Sequence, residues 1–354
     1  MNYMSVQSVA FQPRRPGFAR GLDPCRGAAI VWLSLAAHLA AQVTTIFIDA
    51  YDTPASNAWN RATFTSAGTY SNLVDSKAAA IPAWVEVTTA CQGLNANSAN
   101  PPTGAAAEFA PAGQNQCYGS TTPSVAKVRG LDSDCIYSFT FYGSRVGVND
   151  NRDTRFRVAG NNAGTNILAT ANNTSQVAVV PRIRPTAAGE IAITIDKGPA
   201  NTSGYFYFLA MKIVGYPAAK TLEIDGSPAP YGAVVPSYGL HADLENGSNV
   251  LCSATGTVAV AEGIRARCAG YALYTNETML AASGTTNVFS YTHAGYARLF
   301  WQWTNDYMHT FTAGSGGTVS TTGGWYTAGS TVTVTASTTV TNRFFSYWTG
   351  DVPA

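Results

Sequence analysis

The sequence predicts an all-β protein: an N-terminal β-sandwich of jelly-roll-like type, followed by two small β modules. Two observations carry this reading. Strand-period segments recur along the chain, with turn clusters of Gly, Asn, Asp and Pro roughly every eight to twelve residues. Beyond Ala41, no segment sustains a helical period over three turns.

In the first region, residues 43–217, Tyr137, Phe139 and Phe141 alternate onto one face. Phe156 and Val158 read as inward, with Arg155 and Arg157 outward. Ile191, Ile193 and Ile195 present one apolar side. The run Gly204 to Val214 is apolar on both faces, the pattern of a single central strand. Turns fall at Gly143-Ser144, Asn149 to Asp153, Gly160 to Asn162, Ala188-Gly189 and Lys197 to Pro199. Around residues 215–220 aliphatic density falls and Gly, Thr, Ser and Trp rise. A second β module is therefore placed at 221–310 and a third at 311–354. In the third, Val332, Val334 and Ala336 alternate with threonines, which predicts a half-buried strand from Thr331 to Ala336.

Composition narrows the function. Of 354 residues, 12% are charged, about half the roughly 25% of an ordinary domain, and the net charge is +1. A nucleic-acid partner would need a basic footprint that this chain lacks. A hydrophobic share of 46% excludes a disordered chain.

The N-terminus reads as an address. Arg14, Arg15, Arg20 and Arg26 precede the short apolar run Gly27 to Ala37, and small residues follow at Ala40 and Ala41. This is the layout of a signal peptide over residues 1–41, cleaved near Ala41, and it predicts a secreted or cell-surface protein. The run is too short to span a bilayer, and no later stretch is long enough. Export makes disulfides permissible. Cys252 and Cys268, on flanking strand-like segments, are expected to pair; Cys91 and Cys117, which bracket a Gly/Pro/Asn-rich loop, form a second candidate pair, leaving Cys135 over. Zinc on Cys252 and Cys268 with His241 or His293 lacks a metal-type spacing.

The third region carries a resemblance. Gly316-Gly317-Thr318-Val319, then Gly329 to Ala336, then Phe345-Ser346-Tyr347-Trp348-Thr349-Gly350-Asp351, resembles the internalin-type B repeat of bacterial surface proteins. That resemblance implies a small β-grasp-like module, often found in tandem. Such repeats usually add a strand after the Trp-x-Gly element, so this unit is expected to be incomplete at Ala354. Residues 221–310 look like a module that often precedes such repeats, through Tyr238 to His241, Asn246 to Val250, Arg267 to Tyr271 and Leu299 to Trp303. Residues 43–217 are similar in pattern to secreted galactose-binding or lectin-like β-sandwiches, through Ile46 to Asp49, Trp59-Asn60 and Tyr137 to Arg145. This likeness transfers no binding residues.

Catalytic signatures are sparse. No serine has Gly two residues before it, as a nucleophile elbow needs. Past the leader the histidines are His241, His293 and His309, all outside the first domain, so a Ser-His-Asp arrangement confined to it is impossible. Glu86, Glu108 and Glu190 are available for carboxylate chemistry, but spacing nominates no pair. The turn Asn149-x-Asn151-x-Asp153 begins like a calcium loop. Thr154 then stands where glycine is needed and Gly160 where glutamate is needed, so a plain Asx turn is preferred and no metal or other cofactor is expected.

What remains is recognition. Sugars bind on aromatic faces with amide, acid or Arg groups on their hydroxyls. Trp59, Asn60, Trp84, Tyr118, Tyr142, Arg145, Asn172 and Asn173 supply both types near predicted loops. The competing reading is that these aromatics build the core of a helix-free domain. The sequence thus predicts a non-catalytic, adhesin-like protein whose first domain binds a glycan or other surface ligand and whose β modules act as spacer. Alternatives are an accessory region of a larger polysaccharide-active enzyme and a purely structural stalk.

Overall fold

The computed structural model describes residues 43–99, 101–275 and 278–350. The expected signal peptide, residues 1–41, lies outside them. Almost every element is a strand, with two short 3-10 helices at Gly104–Phe109 and Ala218–Lys220.

Residues 43–217 form a sandwich. One sheet has five strands in the order Ala178–Ile183, Cys135–Tyr142, Ala210–Pro217, Thr44–Asp49 and Trp59–Arg61; its neighbours are antiparallel except the last pair. The facing sheet is antiparallel, in the order Ala163–Ala169, Asp153–Ala159, Ile191–Lys197, Ser124–Arg129, Trp84–Thr89 and Gly68–Tyr70. Period-2 alternation decides which side chains meet between them. Phe139, Phe141, Ile46, Ile48, Met211 and Ile213 from one sheet join Phe156, Val158, Ile191, Ile193, Ile195, Val85 and Val128 from the other in one core. Phe141 stacks on Phe156 across the sandwich with centroids 4.4 Å apart. Outward, Arg155 and Arg157 share Asp196 at 2.7 and 2.9 Å.

The apolar run 204–214 is not one strand. It breaks at Leu209 into Phe206–Phe208 and Ala210–Pro217, which belong to different sheets. Leu209 bonds sideways, its N–H donating to Tyr142 O and its carbonyl accepting from Ala50 N–H, both at 2.9 Å. The first piece pairs with Gln116–Gly119, which pairs with Gly93–Asn95, making a three-stranded sheet at one end of the sandwich.

After Ala218–Lys220 the chain builds a smaller sandwich. Its large sheet runs in the order Gly239–His241, Leu222–Ser227, Ala297–Thr310, Ile264–Thr275 and Thr257–Ala261, with Met279–Gly284 added on Ile264–Thr275. Facing it are Val234–Val235, Asn249–Ala254 and Val288–Thr292. Tyr271 stacks on Phe289 between the two at 3.7 Å. The expected Cys252–Cys268 bond is not formed: both are buried free thiols. They sit in opposite sheets, and a bulge after Cys268 leaves its Sγ 3.6 Å from the Gly270 carbonyl.

The third region is less regular. Gly323–Thr327, assigned from sequence to a separate module, pairs with Ala297–Thr310 and so extends the second sheet. Thr331 to Thr335 form no strand, because the alternating face finds no ladder partner among the described residues; only Ala336–Thr338 pairs, with Gly317–Val319. What holds Gly323–Thr327 in place is the buried Asp306. It accepts from Arg265 Nε at 3.1 Å, Arg267 Nε at 3.2 Å and Thr327 Oγ1 at 3.0 Å. Asp306→Ala removes the acceptor shared by Arg265, Arg267 and Thr327 and is expected to cost about 2 kcal/mol, read as a lowered urea midpoint. A midpoint equal to that of the unsubstituted protein would refute this role.

Candidate functional site

Strand register brings the long connections to one end of the first sandwich. Asp49, Tyr142, Ala178 and Ala210 end one sheet there, and Asp153, Ala169, Lys197, Ser124 and Thr89 end the other. The segments 50–58, 90–123, 143–152, 170–177 and 198–205 therefore share that end. Seven of the eight residues singled out from sequence fall at or beside it. Trp84 does not: it pairs with Arg129 at the opposite end, its ring against Gly130.

Most of the seven are structural. Trp59 is buried, stacked on Phe47 at 4.7 Å with Phe109 at its edge. Asn60 is buried, donating to Phe47 O and Val74 O and accepting from Val74 N–H at 2.7–2.9 Å. Tyr142 is buried against Phe109, and burial raises its hydroxyl pKa. Asn173 Nδ2 donates to Gly143 O and Gln176 O, both at 2.9 Å. Asn172 is exposed, but its Oδ1 accepts from Gly147 N–H at 2.9 Å and its Nδ2 donates to Val148 O at 2.6 Å. Arg145 turns its Nη1 back onto the Val146 carbonyl. The 149–153 turn closes on itself, Asn151 Oδ1 accepting from Asp153 N–H at 2.8 Å. Among the described residues, no three His, Cys, Asp or Glu side chains are grouped to hold a metal ion.

Tyr118 is half-buried with no side-chain hydrogen bond among the described residues holding it inward, and it has company that sequence reasoning missed. It stands on the outer face of the three-stranded sheet, its ring over Gly93, where an added Cβ would lie 3.1 Å from the ring. Tyr205, 39% exposed, meets it edge-on at 5.9 Å, and the buried Tyr207 lies behind at 6.1 Å. The loop holding Tyr205 is fixed by Asn201, whose Nδ2 donates to Asp153 O and Tyr205 O and whose Oδ1 accepts from Gly204 N–H. Gly204 takes φ +83°, which suits glycine.

Beside the rings, Arg152 forks onto Asp150, Nε to Oδ1 at 2.6 Å and Nη2 to Oδ2 at 3.0 Å, and its Nη1 donates to Tyr207 OH at 2.5 Å. That hydrogen bonding holds the Asp150 carboxyl below its usual range. Ser120 Oγ donates to Gln92 Oε1 at 2.8 Å on the adjoining rim. Asp150 and Arg152 lay inside the turn read for calcium, while Tyr205 and Tyr207 lay inside the run read as core.

Other carboxylates are engaged elsewhere. The buried Asp49 accepts from Tyr51, Asp52 and Gly113 N–H at 2.6–2.9 Å, while burial pushes its carboxyl up to about 6. Asp52 holds both nitrogens of Asn115. Glu86 pairs with Arg129, Glu190 with Lys127 and Arg129, and Glu108 with Lys212. Beneath Tyr118, the sulfurs of the buried thiols Cys91 and Cys117 lie 2.6 Å apart, and burial raises the Cys117 pKa.

No protein-family model and no curated protein matches the chain. Three solved structures are similar to parts of it. One is titled TmCBM61 in complex with β-1,4-galactotriose: 15% identity, TM-score 0.20, covering 38% of this chain and 83% of that one. Another is the family 32 CBM from C. perfringens NanJ in complex with galactose: 19% identity, TM-score 0.21, covering 37% and 96%. The third is the ANXUR2 extracellular domain from Arabidopsis thaliana: 12% identity, TM-score 0.33, covering 76% and 88%.

Asn60→Ala separates the structural residues from the open patch. It strips partners from the Val74 amide and two carbonyls and is expected to cost about 3 kcal/mol in urea unfolding. An unchanged midpoint would show that the amide is free for another task.

Proposed function

We propose that residues 43–217 are a non-catalytic glycan-binding domain of an exported protein, with residues 221–350 serving as its spacer. The observation that carries the reading is the pair of rings Tyr118 and Tyr205, backed by the buried Tyr207, beside the forked Asp150–Arg152 pair. An aromatic face accepts the apolar face of a pyranose, and a carboxylate held in place by an Arg accepts hydroxyl protons. Ser120 and Gln92 extend the polar rim. The long-loop end supports the reading too, because loops held on a rigid scaffold are where binding residues gather. Export is supported by the arginine-rich leader with its short apolar run. Among the described residues no helix is long and apolar enough to cross a membrane.

The test is binding of the full chain to immobilised oligosaccharides. Tyr118→Ala and Tyr205→Ala are expected to weaken the best ligand at least about tenfold, since a stacked ring contributes about 1 kcal/mol or more beyond its area. Near-UV circular dichroism should stay that of the unsubstituted protein. Full retention of binding in both variants would sink the site.

An oxidising compartment would also join Cys91 to Cys117, strapping the 26-residue span that carries Gly93 and leads to Tyr118. Non-reducing peptide mapping is expected to recover these two cysteines linked, with Cys135, Cys252 and Cys268 alkylated as free thiols after unfolding. Alkylation of Cys91 in the unreduced, unfolded protein would remove the strap.

A further inference from the structure

The two partners of the Asp150–Arg152 fork are unequally exposed. The Arg152 side chain is 14% exposed and that of Asp150 39%. Three guanidinium nitrogens of Arg152 are engaged, Nε and Nη2 by the carboxylate and Nη1 by Tyr207 OH, and its plane lies over the Tyr207 ring at 5.4 Å. A molecule arriving on Tyr118 and Tyr205 therefore meets the acid of this pair before the base. Each carboxylate oxygen takes one bond from Arg152, which leaves lone pairs directed outward for further donors. Arg145 also favours the charged Asp150; its Nη1 is turned back onto the Val146 carbonyl and its Nε is buried.

We infer that the patch selects neutral, hydroxyl-rich sugars and rejects glycans that carry a carboxylate or sulfate where the ligand faces Asp150. This rests on the glycan-binding reading above and adds its charge selectivity. Sugar hydroxyls donate to Asp150, whereas a ligand anion would face a like charge and find Arg152 already occupied. Asp150 is thus both the hydroxyl acceptor and the group that excludes acids.

The experiment measures the full chain on neutral oligosaccharides and on their uronate and sulfated counterparts, at low and high NaCl. The expected preference for the neutral member is at least about tenfold at low salt, and it should narrow as salt screens the repulsion. Asp150→Asn, checked for folding by near-UV circular dichroism, should lose affinity for neutral ligands and shift the ratio toward acidic ones about tenfold. Equal or tighter binding of the acidic members by the unsubstituted protein overturns the inference while glycan binding stands. A neutral preference unmoved by both salt and Asp150→Asn also overturns it. Absence of binding to either set removes the glycan-binding reading itself.

Discussion

Everything at the long-loop end depends on satisfying backbone polar groups with only one short 3-10 helix among the residues described there, Gly104–Phe109, to help. A buried N–H or C=O without a partner costs free energy comparable to a lost hydrogen bond. Segments leaving sheet ends cannot draw on a helical ladder, so short polar side chains take that role. Asp49 collects three N–H groups, Asp52 anchors Asn115, and Asn60 bridges Phe47 to Val74. Gln116 and Ser144 bond to each other's segments, and Asn173 spans Gly143 and Gln176. The interior amides and acids are thus the scaffold of the loops, and the open patch is what that scaffold leaves free.

The low charge content sharpens the same point. With few ionisable groups, most carboxylates of the first domain are matched to a cation on a sheet surface or to backbone N–H groups inside. In the second sandwich Asp306 collects two arginines from Ile264–Thr275 and a threonine from Gly323–Thr327. In the first domain the fork at Asp150 differs because aromatic rings adjoin it, giving one place an apolar face and an acceptor together.

The alternating strands were legible in the sequence for a physical reason. Phe139 with Phe141, Phe156 with Val158, and Ile191 with Ile193 and Ile195 each bury a single face against the opposing sheet, so period 2 appears directly. The run through Leu209 was not legible, because apolarity on both faces does not record a change of sheet. The alternation at Val332 and Val334 was equally silent about whether a partner strand exists. Among the site residues Tyr118 was visible as an aromatic near a turn. Asn60 and Asn173 carried the same surface chemistry in sequence but had been drawn inward by unsatisfied backbone. Tyr207 was hidden because its flanking phenylalanines belong to the core.

That last case links the core to the patch. In the three-stranded sheet, Phe206 faces Gly119, Tyr207 faces Tyr118, and Phe208 faces Cys117. The odd partners point inward: Phe206 fills space that a Cβ on Gly119 would occupy at 2.2 Å, and Phe208 packs on Phe64 at 5.0 Å. The middle pair consequently lies on the other face, side by side, Tyr118 half-buried and Tyr207 covered. A slip of one residue would exchange the two faces, so burial of Phe206 and Phe208 enforces the register that sets Tyr118 on the outer face with the buried Tyr207 packed beside it. Gly93 completes the arrangement on the third strand, since a Cβ there would lie 3.1 Å from the Tyr118 ring and crowd it. Tyr118 therefore stands on the outer face of a sheet whose inner face is fixed by hydrophobic packing.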